Sequence, residues 1–154
     1  MKHLVKLFSV LTLAIGILLS MPVTNANAAP AAPGVYYFGV DGMATQEAFN
    51  KGKFIQYPGN KIEASGPIYI KVKQLGYGSR FINVDKVSTD FKEVNREAIT
   101  EYSSYGTVVI GWYITYKVDN LADGTHNIEL GCIGNMGKVI RTNVTFNKIA
   151  PITP

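Results

Sequence analysis

A nucleophilic site is most simply built from cysteine and histidine, and residues 29–154 contain one of each, Cys132 and His126. A catalytic cysteine needs a histidine within hydrogen-bond reach to accept its proton. The residues between the two alternate between apolar and polar side chains, which predicts a β-strand. Six steps along a strand span about 20 Å, at roughly 3.3 Å per residue. A Cys–His pair is therefore excluded unless the strand prediction is wrong.

Each residue also has a structural interpretation, which we favour. Cys132 is predicted to be a small buried apolar side chain. His126 lies at the corner entering its strand, where sandwiches often place an aromatic residue that bonds back to the connecting loop. Catalysis and metal binding by His126 remain alternatives. A zinc site would need two further carboxylates, and no spaced ligand set is visible, so we predict no metal and no cofactor.

Other catalytic chemistries have little support. The G-x-S-x-G motif of a serine hydrolase nucleophile is absent. Carboxylates for glycan hydrolysis are available, but that chemistry depends on the distance between two of them, and ordinary surface charge explains them better. Asp119, Asn120 and Asp123 are predicted to form a turn rather than a calcium loop. The available carboxylates are Asp41, Glu47, Glu63, Asp85, Asp90, Glu93, Glu97 and Glu101.

Short alternating segments separated by turn residues make up most of the chain after the N-terminus. They predict an all-β fold, an antiparallel immunoglobulin-like β-sandwich of about seven strands with little helix. A short helix is predicted within residues 43–50, with Thr45 as its N-cap. The strands are predicted at 35–40, 53–57, 68–73, 81–87, 108–118, 126–132 and 139–149.

Alternation also predicts which side chains face the core. Ile68, Ile70 and Val72 are predicted to face inward, with Tyr69, Lys71 and Lys73 outward. On the strand at 126–132 the inward residues are predicted to be His126, Ile128, Leu130 and Cys132. On the longest strand the inward face is predicted to be Val108, Ile110, Trp112, Ile114, Tyr116 and Val118, with Trp112 its largest member. Residues 88–106 lack a clear pattern and are predicted to be a long connection or irregular edge, with a weak helical candidate at 91–98. Such connections often carry function.

The segment from Leu121 to Gly137 carries the clearest resemblance. Its pattern is Leu-x-Asp-Gly-x-His-x-Ile-x-Leu-x-Cys-x-Gly-Asn-x-Gly, and it resembles the bacterial immunoglobulin-like modules of exported proteins. The match covers residues from Thr107 onward. Gly134 stands where the family commonly has an acidic residue, so the resemblance implies no cation site there. Gly76-Tyr-Gly78 and Gly111-Trp112 are similar to YolA-like small secreted proteins, whose activity is unknown.

The N-terminus predicts export. Lys2 and Lys6 precede an apolar run from Leu7 to Leu19, and Ala26-Asn-Ala28 follows as a cleavage pattern. The run is shorter than the roughly 20 residues of a membrane span, so we expect no transmembrane anchor after cleavage. The predicted organisation is a signal peptide (1–28), an extended arm (29–34) and one sandwich domain (35–150). Cleavage leaves thirteen basic and eleven acidic residues, too weak an excess to indicate nucleic acid.

Aromatic and basic side chains on the outward faces and loops suggest a binding surface. Tyrosines beside lysines can stack on sugar rings and contact anionic polymers or a protein, although they also shield sheets and guard strand edges. We predict a secreted non-enzymatic binding domain whose ligand is a wall polymer, an extracellular glycan or a protein. A small carboxylate-dependent glycan hydrolase and a secreted toxin or inhibitor are the alternatives. The candidate binding residues are Tyr69, Lys71, Lys73, Tyr77, Tyr102, Tyr105 and Tyr113.

Overall fold

A computed structural model of the protein describes residues 33–104 and 106–150. The predicted signal peptide, most of the predicted arm and Tyr105 lie outside these residues. One α-helix occurs within the described part of the chain, α1 (Gln46–Asn50), and none there is long and apolar enough to cross a membrane. The strands are β1 (Tyr37–Thr45), β2 (Lys61–Ala64), β3 (Ile68–Leu75), β4 (Gly78–Val84), β5 (Val87–Ser88), β6 (Lys92–Ser103), β7 (Gly106–Val118), β8 (Gly124–Gly134) and β9 (Val139–Lys148).

The strands form two sheets around a shared apolar core, as predicted for an all-β sandwich. The four-stranded sheet has the order β1-β3-β7-β6, and the five-stranded sheet has the order β2-β9-β8-β4-β5. Fully buried side chains come from both sheets, including Ile70 and Ile114 from the first and Ile128, Leu130 and Val144 from the second. Pairing is antiparallel except between β2 and β9, which run parallel.

Several sequence predictions are confirmed. Ile68, Ile70 and Val72 are fully buried on β3, and Ile128, Leu130 and Cys132 are fully buried on β8. Thr45 is the N-cap of α1, because its hydroxyl oxygen accepts a hydrogen bond from the Ala48 backbone N–H at 3.4 Å. Strong alternation over many residues fixed these assignments, since a one-residue slip would turn every apolar side chain to solvent.

Other sequence predictions are wrong. The described part of the chain has nine strands, two of which, β2 and β5, have only four and two residues. Residues 53–57 make only a single bridge, Met43 with Ile55, while the neighbouring residues 61–64 form β2. Residues 91–98 are not helical, because β6 extends through them and pairs along β7. As an edge strand, β6 has only one paired neighbour and mostly exposed side chains, so it has no apolar alternation from which to predict a strand.

The prediction for β7 holds for only part of the strand. Ile114, Tyr116 and Val118 are buried, but Val108 is 40% exposed. Residues 106–109 pair with β6 alone, because the pairing of β7 with β3 begins at Gly111. The Trp112 side chain is partly buried and packs against the margin of the core rather than at its centre. The β6–β7 hairpin therefore extends past the end of β3.

Candidate functional site

His126 forms a corner with the connection that precedes β8. Its Nε2 lies 2.8 Å from the Ala122 carbonyl oxygen, which confirms the predicted bond to the connecting loop. Its Nδ1 lies 2.8 Å from Oδ2 of Asp85, a partner 41 residues earlier. A carbonyl and an ionised carboxylate only accept hydrogen bonds, so His126 makes both bonds together when both of its ring nitrogens are protonated. These two bonds raise the pKa of His126 above its ordinary value of 6.5.

Asp85 completes this His126 corner from the other side. Asp85 and Lys86 have φ values of +50° and +72° and form the two-residue turn between β4 and β5. Oδ1 of Asp85 accepts a hydrogen bond from the Asn127 backbone N–H at 2.9 Å. That bond, followed by the His126 bond, holds the pKa of Asp85 below its ordinary value of 3.8. The arrangement joins a hairpin turn to the start of β8 and has a structural role.

Cys132 has none of the properties of a nucleophile. Its side chain is fully buried in the core, and burial raises the pKa of its thiol. A reactive cysteine needs the opposite, a lowered pKa and access to solvent. Both ring nitrogens of His126 are occupied by Asp85 and Ala122. The prediction of a small buried side chain is confirmed for Cys132.

The structure brings four of the predicted binding residues together on the outer side of the four-stranded sheet. We call this the tyrosine–lysine face, formed by Tyr69, Lys71, Lys73 and Tyr113. Antiparallel pairing of β3 with β7 places Lys73 directly opposite Tyr113. The Lys71 ammonium lies 4.6 Å from the centre of the Tyr113 ring, and that of Lys73 lies 5.9 Å from it. Two cations thus share one aromatic ring, within the range of cation–π attraction.

One end of the tyrosine–lysine face is covered by the chain that follows β1. The Phe49 ring of α1 stacks on Tyr69 at 3.7 Å between centroids and an interplanar angle of 1°. The Tyr69 hydroxyl donates to Oε1 of Gln46 at 2.7 Å, and Tyr69 is only 4% exposed. Phe54 lies beside Lys71, 5.6 Å from its ammonium. Tyr69 therefore serves packing, and Lys71, Lys73 and Tyr113 remain the accessible part.

The other predicted binding residues lie elsewhere. Tyr77 is on the connection between β3 and β4, where its hydroxyl donates to the Val109 carbonyl at 2.9 Å. Its ring meets Trp112 edge-on, with centroids 4.9 Å apart. Tyr102, near the end of β6, is 85% exposed. The structure therefore does not gather the seven predicted residues, of which Tyr105 falls outside the described part, into one site.

A cavity that the sequence prediction missed lies beside Tyr77 and Trp112. Its volume is about 200 Å³, and we call it the arginine cavity. Two polar residues of the cavity come from strands on either side of β7. Gln74 of β3 pairs with Trp112 of β7, and Arg96 of β6 pairs with Ile114 of β7. The residues lining the arginine cavity are Gln74, Tyr77, Gly78, Arg80, Arg96 and Trp112.

The two arginines of this cavity have different partners. Arg96 forms a bidentate pair with Glu93, with distances of 2.6 Å and 2.8 Å. That pair holds the pKa of Glu93 below its usual range and raises the pKa of Arg96. Arg80 approaches Glu93 only to 3.8 Å, and among the described residues its guanidinium makes no hydrogen bond. Arg80, Arg96 and Glu93 together carry a net charge of +1, so one positive charge among them is uncompensated.

The alternation of the strands contained a signal for this cavity. Ile82 and Val84 point into the core, so the same period places Arg80 on the inward face of β4. Ile70 and Val72 likewise place Gln74 on the inward face of β3. Inward arginine and glutamine are rare because burial removes their water, and they mark positions where function can outweigh stability. The predicted strands at 68–73 and 81–87 each stop one residue short of these positions, Gln74 and Arg80.

None of the three cavities described brings two carboxylates together. Besides the arginine cavity, one cavity contains a single carboxylate, Asp119, and another contains only Glu63. The carboxyl groups with shifted pKa values, Glu47, Asp85 and Glu93, are all lowered, whereas a general acid needs a raised one. No group of three or more His, Cys, Asp or Glu side chains in this part of the chain is placed to hold a metal ion.

Comparison with known proteins gives one match. Residues 23–145 match the model of a family described as a domain of unknown function (DUF4879). The matched residues span most of the chain, which therefore belongs to that family. No curated protein and no solved structure matches it.

Proposed function

We propose that this member of the DUF4879 family is a secreted, non-enzymatic binding domain that attaches to a wall polymer or extracellular glycan. The observation that carries the proposal is the pair of lysines around Tyr113 on the tyrosine–lysine face, with ammonium groups 4.6 Å and 5.9 Å from one ring. An aromatic ring stacks on the apolar side of a sugar, and the neighbouring cations attract carboxylate or phosphate groups. Secretion rests on the predicted signal peptide and on the resemblance to YolA-like secreted proteins.

The immunoglobulin-like part of the proposal is supported by strand order. In that fold one sheet has strands A, B, E and D and the other has C, F and G. The order β1-β3-β7-β6 corresponds to the first sheet, and β9-β8-β4 corresponds to G, F and C. The remaining strands, β2 and β5, have four and two residues and extend the edges of the second sheet. On this reading seven strands form the sandwich, as the sequence predicted, with two short additions.

The tyrosine–lysine face is partly open to solvent. The side-chain exposure of Lys71 is 22%, and Lys73 and Tyr113 are also partly exposed. Glu97 lies 3.9 Å from this ammonium, on the side facing β6. Lys117, in the same sheet, is paired with Asp119 at 2.8 Å. Lys73 takes part in no ion pair among the described residues, which makes it the cation best able to meet a ligand.

The non-enzymatic part of the proposal is supported by the placement of possible catalytic groups. Both nitrogens of His126 bond within the corner, and Cys132 is covered by the core. The lowered pKa of Glu93 belongs to its pair with Arg96, which is typical of a structural ion pair. A glycan hydrolase would need two carboxylates facing one cleft, and none of the three cavities described has more than one.

Cosedimentation with cell walls and insoluble extracellular polysaccharide tests the proposal. We expect the mature protein to be retained more than an unrelated protein of similar charge. Lys73→Gln combined with Tyr113→Ala should lower retention about tenfold, since each removes one kind of contact. Lys138→Gln is the matched control, because Lys138 lies on the exposed loop between β8 and β9, and it should leave retention unchanged.

Two results would contradict the proposal. One is retention no greater than that of the unrelated protein. The other is equal retention of the double variant and the Lys138→Gln control, which would remove the tyrosine–lysine face from the interaction. Release of soluble sugars during the incubation would contradict the non-enzymatic part, provided that it scales with protein concentration.

A further inference from the structure

The arginine cavity is a polar cluster at positions where the fold would otherwise place core residues. Arg80 follows the inward period of Ile82 and Val84, and it pairs in register with the buried Cys132. The Arg80 side chain is 22% exposed, and its guanidinium makes no hydrogen bond among the described residues. Hydrogen bonds from an ionised donor are strong, so this unpaired guanidinium is a favourable position for an anion.

The donors of Arg80 are the first element of a binding site. The guanidinium carries five N–H groups in a planar fork. Its only ion-pair partner among the described residues is Glu93 at 3.8 Å, beyond hydrogen-bond length, and Glu93 is already held by two shorter bonds from Arg96. A planar carboxylate fits the fork of a guanidinium through two parallel hydrogen bonds. Arg80 is thus free to receive one oxyanion from the cavity.

The remaining walls favour a sugar as the carrier of that oxyanion. Trp112 and Tyr77 meet edge-on and present aromatic surface to the cavity. The volume of about 200 Å³ is smaller than the roughly 300–1,000 Å³ of pockets for drug-sized ligands, so the cavity suits a single ring. Gln74 is 1% exposed, and its amide oxygen has no hydrogen-bond partner among the described residues. A buried acceptor without a donor lowers the stability of the fold, and functional sites are places where such groups occur.

We propose that the arginine cavity is a second binding site, which takes one acidic sugar unit by its carboxylate, with Arg80 as the anion-binding residue. The cluster of Arg80, Arg96 and Glu93 carries one net positive charge, which matches a monoanion such as a uronate rather than a phosphate monoester. The site lies between the sheets, whereas the tyrosine–lysine face lies on the outer side of one sheet. The proposal therefore goes beyond the proposed function and does not depend on that face.

Calorimetric titration of the full mature protein tests this site with three probes: trigalacturonate, the neutral galactotriose, and a poly(glycerol phosphate). We expect trigalacturonate to bind and galactotriose to bind at least about tenfold more weakly, since it lacks the charge-assisted bonds. Arg80→Met should lower the affinity for trigalacturonate about tenfold or more, and Arg80→Lys should lower it less, because it retains charge without the fork. Arg141→Met is the matched control on β9, where Arg141 bonds Glu129, and it should bind as the wild type does.

The outcomes separate the two proposals. Equal affinity for trigalacturonate and galactotriose, or an Arg80→Met variant that is folded by circular dichroism and binds unchanged, would overturn this site. Tighter, Arg80-dependent binding of poly(glycerol phosphate) would overturn its assignment to a carboxylate. The variant with Lys73→Gln and Tyr113→Ala should retain its trigalacturonate affinity. If walls fail to retain the protein while trigalacturonate still binds through Arg80, the tyrosine–lysine proposal alone is contradicted.

Discussion

The His126 corner and the arginine cavity both place charged side chains beside the apolar core, and they differ in how completely their hydrogen bonds are satisfied. In the corner, each ring nitrogen of His126 has an acceptor at 2.8 Å, and both oxygens of Asp85 have donors. In the cavity, the Arg80 guanidinium has no hydrogen bond and the Gln74 amide oxygen has no donor among the described residues. Satisfied groups stabilise the fold, while unmatched groups are available to a ligand.

This difference corrects an inference based on residue type. Histidine and cysteine are the types most often searched for in an active site, yet here both belong to the scaffold. Arg80 and Gln74 were not predicted as site residues, yet they carry the polar groups that lack hydrogen-bond partners among the described residues. The comparison can be tested by stability measurements, because substitution of His126 should lower the stability of the protein, whereas substitution of Arg80 should not.

The largest effect is expected at the corner. His126→Phe keeps an aromatic ring but removes both donors, leaving the Ala122 carbonyl and the Asp85 carboxylate without them. We expect the free energy of unfolding to fall by about 1–2 kcal/mol. Hydrogen bonds to a charged group contribute on this scale, and solvent around the half-exposed Asp85 reduces their contribution. Urea denaturation at pH 6 measures this change. The control is Arg141→Met, which breaks an exposed ion pair and should cost less than about 0.5 kcal/mol; equal losses in both variants would contradict the structural role of His126.

The pH dependence of stability gives a smaller effect with a defined sign. The raised pKa of His126 means that its contribution is fully present below 6.5 and is lost as the pH rises through the folded-state value. The lowered pKa of Asp85 means that its contribution is present above 3.8 and is lost as the pH falls through its own folded-state value. The wild type should therefore lose stability as the pH rises above 6.5, and His126→Phe should show a flatter profile in that range. Parallel profiles for the two proteins would sink this assignment.

The smallest effects are expected in the arginine cavity. Arg80→Met replaces an unmatched inward cation by an apolar side chain, and Glu93 keeps its pair with Arg96, so stability should stay within about 0.5 kcal/mol or increase. Arg96→Met removes both close partners of Glu93 and should cost up to about 1 kcal/mol, limited because Arg96 is 46% exposed. Thermal unfolding of the two variants and the wild type measures the order of their stabilities. A loss from Arg80→Met as large as that from His126→Phe would make Arg80 a structural residue and remove the contrast between the two regions.

The sequence predicted the fold best where one strand face is buried along several residues. The core faces of β3 and β8 were predicted because period-two alternation is a local property. The irregular edge predicted within residues 88–106 is the edge strand β6, but its strand structure was not predicted, and neither was the four-residue β2. Both strands form by hydrogen bonding to a neighbour, β7 or β9, and have little apolar pattern of their own. The bond from His126 to Ala122 was predictable because four residues separate them, while the bond to Asp85 was not.

The chain by itself determined which side chains alternate between core and solvent, and that His126 and Cys132 cannot meet on one strand. Tertiary structure decided where the apolar core ends along each strand. Close to Gln74 and Trp112, residues from the four strands β3, β4, β6 and β7 line a cavity, and Arg80 and Arg96 form part of its wall. The physical reason is that alternation fixes only the direction of a side chain, whereas its surroundings depend on how far the opposite sheet and the neighbouring strands extend.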